Sequence, residues 1–112
     1  MILFLDTVSL SPKFSLIENN KSIHSIHILD KNSNKISDRI FLSFNKMHNR
    51  FKLDNKIQKL IVCTGPGSYT ALRVGIAFMY GLSISKKIPL LGLSSLEIMK
   101  LISSNAENKK NI

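Results

Sequence analysis

"IVCTGPGSYTALRVG", Ile61 to Gly75, decides how the rest of the chain is read. Ile61, Val62 and Cys63, with Leu60 before them, form a continuous apolar run, as a central strand covered on both faces does. Thr64-Gly65-Pro66-Gly67 then turns the chain, because glycine reaches backbone angles closed to other residues and proline fixes φ. A helical pattern from about Tyr69 to Ser85 follows at once. Strand, glycine turn and helix make one α/β unit, and the turn between them is of a kind that often holds phosphate.

Working outward, "ILFLD" (Ile2 to Asp6) reads as a buried strand ending in a carboxylate. "KFSLIEN" and "SIHSIHIL" flank Asn19-Asn20-Lys21 and read as a hairpin, so the first three strands form an antiparallel meander. After the polar loop Asp30 to Lys35, "SDRIFLSFNKMHNRF" carries apolar residues at Ile40, Phe41, Phe44, Met47 and Phe51, a helical spacing. Ser37 is placed to cap this helix, and Ile36 to staple against Phe41. Leu42 falls on its polar face. "PLLGL" (Pro89 to Leu93) is a short strand, and "SSLEIMKLISS" a last helix with Ser94 and Glu97 at capping-box spacing. The order is β-β-β-α-β-α-β-α, a mixed five-stranded sheet with helices on its faces. It is the order of a single actin-like (ribonuclease-H-like) lobe, and it also suits other small α/β sandwiches. One domain over residues 1–104 is expected, with 105–112 a polar, frayed tail.

Composition narrows the function classes. Cys63 is the single cysteine, so no intrachain disulfide is available and a reducing compartment fits. "MILFL" is too short for a signal-peptide core and meets Asp6 at once. No apolar run approaches the roughly 18 residues of a spanning helix, so a cytoplasmic protein is expected. The net charge of +9 invites a nucleic-acid reading. However, the lysines are scattered from Lys13 to Lys110, and there are only three arginines. The joint richness in Ile, Asn and Lys also fits a coding bias.

The amides after Gly67 open a helix and favour an anion, so Asp6, Gly65, Gly67, Ser68 and Thr70 are the weak candidates for a nucleotide. Against this, a P-loop needs a lysine directly after its last glycine, and none occurs before Lys86. A dinucleotide fingerprint needs glycine where Thr70 stands. No cofactor is expected. No catalytic or metal set is expected either: His24 and His27, three apart in a strand, point to opposite faces, and His48 stands alone. The helix after the turn says more. It is small or apolar nearly all round, with Arg73 and Tyr80 near Tyr69 on one edge, and must be buried on more than one side. Ala71 and Gly75, like Ala77 and Gly81, are four apart and leave shallow ground for another helix. The expected partner face is Ala71, Arg73, Val74, Gly75, Phe78, Met79 and Leu82, with Leu42 as a rim contact from the preceding helix.

"LDT" (Leu5 to Thr7), "GPGSYTALRVGIAFMYGLS" (Gly65 to Ser83) and "GLSSLE" (Gly92 to Glu97) together resemble the TsaB, or YeaZ, family. That family is the bacterial tRNA threonylcarbamoyladenosine biosynthesis subunit, whose usual pattern is a GPGSFTGLRIG-type segment followed by a GVSSLE-type one. The resemblance spans Leu5 to Glu97 and implies an actin-like fold without catalysis. It also implies pairing with the homologous TsaD subunit, which carries the metal and ATP, through helices corresponding to Ser37–Phe51 and Tyr69–Ser85. A TsaE-like ATPase joins them, a homodimer forms in the partner's absence, and tRNA is met indirectly through the complex. "KISDRI" stands where the family starts its first helix with a His-Ser-Glu-like sequence, and the chain stops after the first lobe. Active ATPases of this fold follow the first-strand Asp with a glycine-containing turn, and Asp6-Thr7-Val8 has no glycine. The reading is a noncatalytic scaffold of tRNA threonylcarbamoylation whose glycine turn positions an interface helix. Its rivals are a one-lobe nucleotide-binding phosphotransferase using Asp6 and the Gly65–Thr70 amides, and a lysine-mediated tRNA-binding module.

Overall fold

Asn19 and Asn20 set the first register. Both have positive φ, 55° and 65°, as the two central residues of a type I′ hairpin turn require. They join β2 (Lys13–Glu18) to β3 (Lys21–His27). β1 (Ile2–Asp6) pairs antiparallel with β2 and parallel with β4 (Lys59–Cys63), which pairs parallel with β5 (Leu90–Leu93). The sheet order is β3-β2-β1-β4-β5, the mixed five-stranded sheet expected from the sequence. Helix α1 (Ile36–Phe51) connects β3 to β4, α2 (Tyr69–Lys86) connects β4 to β5, and residues 95–100 begin a further helix. The computed structural model describes residues 1–9, 11–28, 36–53, 55–67 and 69–100. The polar loop and the tail read from the sequence lie outside these residues.

Strand alternation sorts the sheet faces. Leu3 pairs with Leu16 and Leu60, and Leu5 with Phe14 and Val62; all six are buried, on the face that α1 and α2 cover. Phe14 from the sheet, Phe44 from α1 and Phe78 from α2 form a ring triad with centroids 5.5 to 6.0 Å apart. Tilted aromatic pairs of this kind add about 0.5–1.5 kcal/mol each beyond their buried area. α1 starts at Ile36, one residue before the expected start. Ile36 enters the core and Phe41 stays 58% exposed, a different arrangement from the expected staple. Core burial offers Ile36 more than a surface contact does.

Gly65 has φ +105°, an angle that only glycine adopts without strain. Its carbonyl accepts the Ser95 amide at 2.7 Å, and the Thr64 amide donates to the Leu93 carbonyl at 2.8 Å. The turn is thereby tied to the end of β5. The expected capping box is formed there: the Glu97 amide donates to Ser94 Oγ at 3.1 Å, and the Ser94 amide to Glu97 Oε1 at 3.3 Å. Buried Cys63 reaches Ser95 Oγ at 3.5 Å. Among the described residues no helix is long and apolar enough to cross a membrane.

Thr7, 3% exposed beneath α2, has a hydroxyl with no hydrogen-bond partner among the described residues. An unsatisfied buried hydroxyl costs about 1–3 kcal/mol. Thr7→Val keeps the shape and removes the hydroxyl, so it is expected to raise unfolding free energy by about 1 kcal/mol. Urea titration checks this, and a destabilised variant would mean that the hydroxyl is bonded.

Candidate functional site

The glycine turn and the outward surface of α2 are the two places that the sequence singles out. At the turn, internal packing accounts for the glycines. A Cβ on Gly67 would lie 2.7 Å from Val8 Cγ1, and one on Gly65 would lie 3.0 Å from Leu72 Cδ1. Asp6 is engaged as well: its Oδ1 accepts the amides of Val8 at 2.9 Å and Ser9 at 3.2 Å. That is the geometry of an Asp closing the turn after its own strand. Thr70 is exposed at the start of α2, whereas Ser68 lies outside the described residues. Among the described residues no three His, Cys, Asp or Glu gather as metal ligands.

Helix α2 turns a different side to the sheet than the sequence reading assumes. A Cβ on Gly75 would lie 2.8 Å from Thr7 Cγ2 and 3.3 Å from Leu5 Cδ2, so this glycine is where α2 comes closest to β1. Met79, one turn on, is fully buried. Gly75 and Met79 thus belong to the lobe's own core, which corrects their assignment to the partner face. Ala71, Val74, Phe78 and Leu82 are half-buried and pack against that core, so at most their edges remain accessible. Of the expected face, Arg73 and Leu42 are exposed.

The side facing away from the sheet carries residues that the sequence reading left out of that face. Tyr80 and Ile84 are each 61% exposed, and Ile76 is 37% exposed. Ala77 is exposed, and none of the described residues lies within 4 Å of a Cβ built on Gly81. Thr70, Arg73, Val74 and Ala77 line a shallow depression of about 360 Å³. Phe41 and Leu42 add exposed apolar surface from α1, 58% and 48% exposed. The four-residue spacing of Ala77 and Gly81 is the sequence signal that marks this side.

Comparison with known proteins places this geometry. The family model for TsaD, tRNA N6-adenosine threonylcarbamoyltransferase, matches residues 30–111. A relative from Buchnera aphidicola, named tRNA threonylcarbamoyladenosine biosynthesis protein TsaB, is 30% identical over 99 residues, 88% of this chain and 42% of its own length. The protein of the same name from Bacillus subtilis is 42% identical over 43 residues, 38% of this chain and 19% of its own. The chain belongs to the TsaB/YeaZ family. The solved structure of YeaZ from Pseudomonas aeruginosa superposes on this TsaB-like chain with a TM-score of 0.72 at 19% identity. It covers 96% of the present chain, and the chain covers 49% of it. A second solved structure, described as similar to peptidase YeaZ from the same organism, gives 0.70 at 19% identity, over 83% of this chain and 42% of its own. The chain therefore spans between two fifths and half of the Buchnera relative and of the two solved structures, and has the same fold as those structures over that span.

Proposed function

We propose that the chain is a noncatalytic scaffold that pairs with a TsaD-like catalytic subunit in tRNA N6-threonylcarbamoyladenosine formation. A TsaE-like ATPase completes the assembly, and two copies of the chain meet when the TsaD-like subunit is absent. The carrying observation is the outward side of α2, where Tyr80 and Ile84 stand exposed beside the open ground at Gly81. An exposed apolar ridge with small residues between large ones suits a second helix in close approach. The relatives' names supply the process.

A noncatalytic role is supported by how the turn and its neighbours are used. Gly65 and Gly67 are filled from behind by Leu72 and Val8, and Asp6 is committed to the Val8 and Ser9 amides. The turn then serves to aim α2. Coexpression of the tagged chain with the TsaD-like subunit of the same cells is expected to yield a stable complex on size exclusion. Elution of the two subunits separately at micromolar concentration would sink the reading.

A further inference from the structure

Lysines that are scattered in the sequence are gathered by the fold. α1 and α2 both end over the start of β1 and β4. There the Gln58 amide donates to the Met1 carbonyl at 2.9 Å, and the Met1 amino group to Gln58 Oε1 at 3.1 Å. Lys86, Lys87, Gln58 and Asn55 line a pocket of about 490 Å³ whose apolar lining includes Leu82 and Ile88. Arg50 and Lys52 end α1, Lys56 donates to the Phe51 carbonyl at 3.0 Å, and Lys59 opens β4. Six basic side chains and the chain's amino terminus thus share one end of the molecule. Asp6, Asp38 and Glu97 sit at the far end, at the close of β1 and the starts of α1 and the last helix. Glu18 is the described carboxylate near the basic end, and Asp54, outside the described residues, falls in the same loop sequence.

Helix ends account for only part of this charge. Each helix C-terminus carries roughly half a negative charge, so two of them offset about one cation of the six. The backbone angles are more telling. Lys52 and Lys87 have φ +49° and +57°, directly after α1 and α2. The Ile88 amide donates to the Ser83 carbonyl at 3.1 Å, which makes Lys87 the left-handed residue of a Schellman stop. Glycine or asparagine is the favoured residue there, and lysine is strained. Coding bias does not explain the choice, because asparagine draws on the same adenine-rich codons. The other described non-glycine residues with positive φ, Asn19, Asn20 and Asn55, are all asparagine. Lysine stands in its place at the two helix ends, where Lys87 lines the pocket together with Asn55 and Lys52 follows α1.

We propose that this end binds RNA, its lysines holding the phosphate backbone while the pocket beside Lys86 and Lys87 takes an unstacked base against Leu82 and Ile88. An RNA loop offers phosphates and splayed bases together, the combination that a basic rim around an apolar recess fits. A flat anionic membrane has no group to fill the recess. RNA contact is then direct, as in the lysine-mediated alternative that the sequence offers, and not only through the complex.

The test uses the chain alone, so it stands or falls separately from the pairing with a TsaD-like subunit. A fluorescent RNA hairpin with a single-stranded loop is titrated against the chain at several salt concentrations. Micromolar binding is expected, with Lys52→Asn/Lys87→Asn weakening it about tenfold and lowering the log–log salt slope by roughly 1.4, two single-strand phosphate contacts. The same variant should melt about 4 °C higher, because asparagine relieves the strained helix ends. Lys13→Asn/Lys100→Asn, which removes the same charge elsewhere, should change affinity less than twofold. Equal losses in the two variants would reduce the effect to net charge and overturn the proposal. So would unchanged binding in the first, a lower melting temperature with lost binding, or tighter binding to phosphatidylserine vesicles than to the hairpin.

Discussion

Gly81→Leu is expected to leave the chain folded and to separate it from the TsaD-like partner proposed for it. None of the described residues lies within 4 Å of a Cβ at this position, so the added side chain meets no clash with them in the lone chain. Glycine is among the weakest helix formers and leucine among the strongest, so the helix gains about 0.8 kcal/mol. In the complex, the same side chain fills the ground on which the partner helix rests. Overpacking of a close contact costs roughly 1–3 kcal/mol, a fivefold to hundredfold loss of affinity. Circular dichroism melting and size exclusion with the partner read the two effects separately. A variant that melts higher and still associates as the native chain does would place the interface elsewhere.

Gly75→Leu is expected to do the opposite. A Cβ alone would lie 2.8 Å from Thr7 Cγ2 and 3.2 Å from Thr7 Oγ1, so even alanine forces α2 or β1 to move. Leucine adds three more carbons between a helix and a fully buried strand residue, Leu5. A loss above about 4 kcal/mol is expected, against a total stability of about 5–15 kcal/mol for a domain of ordinary size. Far-ultraviolet circular dichroism should show much of the helical signal lost at 25 °C, or a midpoint lowered by tens of degrees. If this variant folds with near-native stability while Gly81→Leu unfolds, α2 is rotated about its axis relative to the structure described.

The contrast between α1 and α2 explains what was legible beforehand. In α1 the buried Ile40 and Met47 and the partly buried Phe44 and Phe51 alternate with Asp38, Lys46 and Asn49, so its existence and most of its inward side follow from spacing, whereas Phe41 turns outward and Ser43 inward. In α2 the apolar residues run all round. Spacing shows that such a helix is covered twice, but it leaves the rotation open, and Gly75 and Gly81 look alike until the sheet is in place. The hairpin at Asn19-Asn20 and the capping box at Ser94 and Glu97 were legible because each depends on residues within four of one another. The basic end was not. Lys52 and Lys87 lie 35 positions apart in the sequence, and they come to the same end of the molecule only because two helices stop at one edge of one sheet.

The position of β1 in the sheet bears on how the molecule is made. Ile2 pairs with Lys59 and Leu5 with Val62, so one edge of the innermost strand has its partner 57 residues later. β2, by contrast, meets it within a short meander. At about 5–20 residues per second, a growing chain holds β1 half-paired for roughly 3–11 s before β4 has been synthesised. During that interval Leu3 and Leu5 have neither α2 above them nor β4 beside them. The central strand of the finished sheet is therefore the one that waits longest for its second neighbour during synthesis, and the early β1–β2–β3 meander is what shelters one of its two edges.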